Sequence, residues 1–192
     1  MDMKENSKYA VFSVMGPHAG EDSDNIFKRK ANDIISSKVG QTFWYVRSRR
    51  LNPNVVQNLC AEAIKQNCYP YCLFLLSRGA MQTKTRAEAK EYSSDLINWQ
   101  PLPKDLGPVT GIMDRGAYAL IFDELIVQKP EKIELGDYVF FDSPQSQIKT
   151  EHFASTVCGI RRDMSNNPER ESNEREVIAK GRLVSPYAVW LR

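Results

Sequence analysis

Arginines, carboxylates and one histidine cluster at a few points of this chain and set the chemistry it has available. Arg47, Arg49 and Arg50 directly follow the aromatic run Phe43-Trp44-Tyr45, and Arg78 follows an apolar run at residues 72–77. Guanidinium groups donate in a planar fork that matches phosphate oxygens. Aromatic rings beside them stack bases, so Trp44 with Arg47, Arg49, Arg50 and Arg78 reads as a set for a nucleotide or nucleic acid. The rings also alternate along an apparent strand, so at least one of their two faces belongs to a core.

His18, Glu21 and Asp22 share a short loop. A histidine and two carboxylates supply an acid and a base, enough for hydrolysis of a nucleotide-like substrate. Asp22 and Asp24 equally suit plain helix capping. Cys–His nucleophilic chemistry would need Cys60 or Cys158 brought to His18 or His152. There is no GxSxG, HExxH or CxxC motif. Cys68 and Cys72 in one strand would stand about 13 Å apart, too far to share a metal. Gly16 and Gly20 are too loosely spaced for a phosphate-binding glycine loop. No cofactor and no metal is expected.

The elements that must position these residues follow from periodicity. Residues 9–16 read as a buried strand, followed by a loop with two glycines and a proline. Ile26, Phe27, Ala31, Ile34 and Ile35 recur at helical spacing over residues 24–38, with Asp22, Ser23 or Asp24 as cap and Gly40 as terminator. Residues 42–48 are aromatic and β-branched, hence a second strand. Asn52-Pro53 opens a second helix with the stripe Val55, Val56, Leu59, Ala63 and Ile64. Residues 72–77 form a third strand. If these three strands are parallel, the loops at 16–22, 47–50 and 77–79 share their carboxyl edge, where open α/β sheets bind ligands. The amino terminus of the first helix would add amides and partial positive charge there.

Past that point the rhythm changes. Thr85-x-x-Glu88 resembles a capping box and predicts a surface helix over residues 86–95. Residues 98–108 hold three prolines and read as a connector. From residue 108 onward short strands follow one another: 108–113, 117–128, 137–141, 154–162, 176–184 and 188–192. Residues 163–176 carry no apolar residue after Met164 and read as an exposed loop, of which 164–175 are expected to be dispensable for folding.

Composition places the chain among soluble globular proteins. Of its 192 residues, 42% are hydrophobic and 26% charged, with net charge +2, so it can bury a core without disulfides. The opening residues show no long apolar signal region, and no run approaches the ~20 residues that span a bilayer. A cytoplasmic setting with reduced cysteines and no membrane association is expected.

Residues 42–48 (TFWYVRS) resemble the aromatic opening strand of the PUA-like group, which includes EVE and ASCH domains. KIELGDYVFFDS resembles that group's Gly-Asp-hydrophobic strand, and STVCGIRRD its following barrel strand. The resemblance implies a small β-barrel module that binds RNA or modified bases. It implies no particular base-binding residue.

The expected fold is α+β, with a β-α-β-α-β amino-terminal half packed with a carboxy-terminal antiparallel sheet or partial barrel. Residues 1–192 are read as one domain, with a subdivision into 1–97 and 108–192 as the alternative. The expected function is recognition of a nucleotide or nucleic acid through arginine-rich loops. A small hydrolase using His18, Glu21 and Asp22 is the alternative, and a protein–protein adaptor adding a strand at a sheet edge is the third reading. The oligomeric state is left open.

Overall fold

The computed structural model describes residues 8–17, 21–48, 50–77, 86–113, 116–149, 156–162, 167 and 170–192. In chain order the elements are β1 (Tyr9–Met15), α1 (Ser23–Ser36), β2 (Thr42–Arg47), α2 (Pro53–Lys65) and β3 (Tyr71–Leu76). Four short strands follow: β4 (Ala87–Glu88), β5 (Glu91–Ser93), β6 (Gln100–Pro101) and β7 (Thr110–Gly111). The rest comprises β8 (Ala117–Glu134), a 3-10 turn (Leu135–Asp137), β9 (Tyr138–Phe140), β10 (Val157–Arg161) and β11 (Glu174–Leu191). The class is α+β, as expected.

Both helices form where capping and periodicity place them. The Asp22 side chain accepts from Asn25 N at 2.8 Å, and α1 buries Ile26 and Phe27. Asn52 accepts from Val55 N at 3.3 Å, Pro53 starts α2, and Val56, Leu59, Cys60 and Ala63 face inward. The segment at 86–95 is not a third helix: Ala87–Glu88 and Glu91–Ser93 are strands. Pairing of Ala87 with Gly111 and of Tyr92 with Leu191 outweighs the local capping signal.

Nine strands form one mixed sheet, with the main order β2-β8-β11-β3-β1-β10-β9, while β4 and β7 form a separate pair. Strands from both halves of the chain therefore interleave in one sheet. Among the described strands only β1 and β3 are parallel neighbours; β2 pairs antiparallel with β8 at one end of the order. The expected three parallel strands reduce to two. The two ends of the sheet are not joined by a ladder, so no barrel closes.

β8 and β11 are 18 residues each, and they form a long ribbon between β2 and β3 in the order of the sheet. The first part of β8, Ala117 to Phe122, pairs with β2, and the later part of β11, from Ala188, pairs back onto β8. The first part of β11, Val177 to Arg182, pairs with β3. The ladder shifts register between Leu183 and Ala188, where the Ser185–Pro186 peptide is cis and Tyr187 has φ 67. An irregularity of that kind bends a ribbon locally without ending it. The two strands expected at 176–184 and 188–192 are thus one strand, which starts at Glu174 and is interrupted by a bulge.

The central core lies between the sheet and the two helices. Trp44 is stacked on Phe27, ring centroids 5.3 Å apart, and tilted against Phe74 at 4.6 Å. A second cluster covers the other side of β1, β3 and β10 with Phe12, Leu73, Leu75, Tyr138 and Ile148. A third, with Phe43, Ala119, Ile121 and Val189, lies under residues 89–113. One charged network is sunk beside the core. Asp33 accepts from Lys30 Nζ at 3.2 Å, Thr42 Oγ1 at 2.9 Å and Gly107 N at 3.3 Å, tying α1 to β2 and to the proline-rich connector.

The carboxyl end of the polar stretch at 163–176 is anchored to the body of the protein. Arg170 reaches Asp137 at 2.7 Å, and Glu171 reaches Lys149 at 2.6 Å. Ser172 Oγ donates to Glu134 at 2.7 Å, and Glu174 already belongs to β11. Complementary charges on the distant segments 134–137 and 147–149 provide partners that this stretch lacks on its own.

Candidate functional site at the strand ends

The carboxyl ends of β1 and β3 lie side by side: Met15 is in register with Leu76, and Ser77 N donates to Met15 O at 2.8 Å. β2 belongs elsewhere in the sheet, yet the segment after it reaches the same place. Ser48 Oγ donates to the Thr156 carbonyl oxygen at 3.1 Å. Thr156 immediately precedes β10, which pairs with β1, and its hydroxyl lies 3.3 Å from that of Ser13. Arg50 N in turn donates to Ser48 Oγ at 3.1 Å. The arginine segment is therefore tied beside the β1 end by side-chain and backbone hydrogen bonds, not by parallel pairing.

Arg50 is exposed, with its guanidinium carbon 5.6 Å from the centroid of the Phe140 ring. Arg29, Arg161, Arg170, Arg182 and Arg192 each reach a carboxylate. Arg50 reaches none among the described residues. Arg182 and Arg192 also lie over rings, those of Tyr69 and Trp99, but both are neutralised by acids. Arg47 is exposed at the end of β2, opposite Ala117.

The other expected site residues divide in two. His18, Arg49 and Arg78 lie outside the described residues, as does His152. Glu21 pairs with Arg29 at 3.1 Å, and both carboxylate oxygens of Asp22 are engaged by Asn25, at 2.8 and 2.9 Å. These two acids organise the start of α1. With Asp24 in the first turn, they also make that helix terminus a poor seat for an anion. Trp44 is only 8% exposed and packs among Phe27, Phe74 and Phe122, so it offers no open face for a base. Phe43 is buried in the outer cluster, and Tyr45 is held by Ile112, whose N donates to the phenol oxygen at 3.0 Å.

The cysteines are core residues. Cys72 and Cys158 are both in register with Val11, one on each side of it, so about two strand spacings separate them. That is about 10 Å between Cα atoms, beyond disulfide reach. Burial pushes the thiols of Cys60, Cys72 and Cys158 well above their ordinary pKa, which keeps them protonated and unreactive. Among the described residues, no group of three or more His, Cys, Asp or Glu is placed to hold a metal ion.

Sequence reasoning missed three participants: Ser48, Thr156 and Phe140. Ser48 stands next to the arginines, but nothing local marks its acceptor. Phe140 sits in the Gly-Asp-hydrophobic strand, and only the tertiary fold brings it under Arg50.

The chain matches no family model, and no curated protein and no solved structure matches it. Among the described residues, no helix is long and apolar enough to cross a membrane.

Proposed function

We propose that this protein recognises a nucleotide or nucleic acid at the edge formed by the ends of β1 and β3 and the segment Arg47–Arg50. The observation that carries the reading is the Ser48–Thr156 hydrogen bond, which sets Arg50, without a carboxylate partner among the described residues, beside two parallel strand ends. An exposed, unneutralised guanidinium over a ring suits a ligand that is both anionic and aromatic. The PUA-like resemblance of residues 42–48 and 132–143 supports the same ligand class. A cytoplasmic setting accords with four free, buried cysteines. Recognition is favoured over hydrolysis because Glu21 and Asp22 are already occupied by Arg29 and Asn25.

The test is a titration of labelled single-stranded RNA, single-stranded DNA and a panel of nucleotides, at low and high salt. Binding should weaken with salt as counterions replace phosphate contacts. Arg47→Ala and Arg50→Ala should each weaken it by about 1.5–3 kcal/mol if a charge-assisted contact is lost. Absence of salt-sensitive binding to every probe removes the reading.

A further inference from the structure

We infer that Arg50 is a stacking platform for an unpaired nucleobase rather than a clamp for phosphate, an inference that rests on the function proposed above.

Among the described residues, the hydroxyl and amide donors that a phosphate would need at this edge are largely spent. Ser48 Oγ donates to Thr156 O, and the Ser13 and Thr156 hydroxyls engage each other. The α2 terminus offers few free amides: Pro53 has no N–H, Val55 N is capped by Asn52, and Val56 N donates to Asn52 O. The α1 terminus is capped by Asp22 and flanked by Glu21 and Asp24. Among the described residues an oxyanion beside Arg50 would meet guanidinium groups but few free amides or hydroxyls, whereas phosphate sites converge several such donors on one anion.

Stacking is a different matter. Phe140 is 8% exposed and belongs to the cluster that covers β1, β3 and β10, so it is a fixed floor. Arg50 lies over that floor while remaining exposed, and the hydrogen bond from its backbone N to Ser48 holds its position. A guanidinium is planar and weakly hydrated, and it stacks on π faces. With no carboxylate to turn it aside among the described residues, its plane is available to a base. Preorganisation of this kind lowers the ordering cost of binding. The base can come from a single strand or from a free nucleotide.

The discriminating experiment separates base from phosphate. Wild type, Arg50→Lys and Arg50→Ala are titrated with a fluorescently labelled single-stranded oligonucleotide, an abasic strand of equal length, and a labelled nucleoside monophosphate. Circular dichroism and melting midpoints confirm that both variants fold. Wild type should prefer the base-bearing strand over the abasic one by about tenfold or more, the usual worth of one stacked base. Arg50→Lys keeps the charge but loses the plane. It should lose that preference while binding the abasic strand like wild type, and Arg50→Ala should weaken both. Binding of the monophosphate with the same Arg50→Lys loss would place the source as a free nucleotide; binding of the strand alone would place it as a polymer. Equal affinity of wild type for base-bearing and abasic strands, or an Arg50→Lys variant that keeps the preference, overturns the stacking assignment and leaves recognition standing. No binding of any of the three probes to wild type overturns both.

Discussion

Ser48 and Thr156 stand 108 positions apart in the chain, and the hydroxyl of the first donates to the carbonyl oxygen of the second at 3.1 Å. This contact joins the segment leaving β2 to the segment entering β10, although their strands lie far apart in the order of the sheet. It also leaves Ser48 Oγ as the acceptor for Arg50 N. Ser48→Ala should therefore release two partners at once. The expected cost is about 1–2 kcal/mol in urea unfolding. Ligand affinity should fall as well, because the Arg50 backbone loses its anchor. Unchanged stability together with unchanged binding would show that the seam is held by other contacts.

Asp33 should be one of the most sensitive polar positions. It accepts from Lys30, Thr42 and Gly107 while almost fully buried. Burial lowers the pKa of Lys30, and Asp33 opposes that shift. Asp33→Ala leaves the lysine charge buried and unpaired, at a cost of about 3–5 kcal/mol. A double replacement of Lys30 and Asp33 by methionine and leucine should recover much of that loss, since apolar pairs of similar volume replace buried ion pairs well. Chemical denaturation of the single and double variants measures both. A double variant as unstable as the single one would assign the cost to Thr42 and Gly107 instead.

Tyr118 is fully buried, and its hydroxyl has no hydrogen-bond partner among the described residues. Burial raises its pKa, with the neighbouring Cys158 and Cys72 adding to the rise and Ser48 opposing it. Ser48 lies near the phenol, but the two hydroxyls do not form a hydrogen bond. Tyr118→Phe should thus keep full stability or gain up to about 1 kcal/mol, unlike the loss usual for a paired buried tyrosine. Thermal melting of the variant tests this, and a lower midpoint would reveal a partner for the phenol.

The junction at Glu134 should be sensitive to acid. Partial burial works against its charged form, but hydrogen bonds from Asn173 N, Ser172 Oγ and Gly136 N outweigh burial and hold the pKa below the ordinary 4.5. The unfolded chain then takes up this proton at a higher pH than the folded one. The resulting stability is complete above the ordinary glutamate pKa and is lost as pH falls through the lower folded value. Melting midpoints of wild type and Glu134→Gln should differ at about pH 6 and converge toward about pH 3. A gap that stays constant over that range would assign the effect to hydrogen-bond geometry rather than charge.

The sequence alone determined the features carried by short stretches of chain. The caps Asp22 and Asn52, the strands β1, β2 and β3, and part of each helix face (Ile26 and Phe27 in α1; Val56, Leu59 and Ala63 in α2) could be read because each depends on neighbours within a few positions. Ile35 and Ile64 of the same stripes, by contrast, are exposed. The α+β class followed from the change of rhythm near residue 108. Tertiary structure decided what those stretches meet. Thr85-x-x-Glu88 carries a helix signal, but Glu88 pairs with Thr110 in a strand. Trp44 beside three arginines looks like a stacking ring, but Phe27 and Phe74 occupy its faces. The direction of β2 depends on β8, more than 70 residues later, and the companion of Arg50 is Phe140 from another strand. Local propensity follows from each residue's own backbone and rotamer preferences. Partner choice is set by burial and pairing across the whole chain, and single-sequence periodicity carries no record of it.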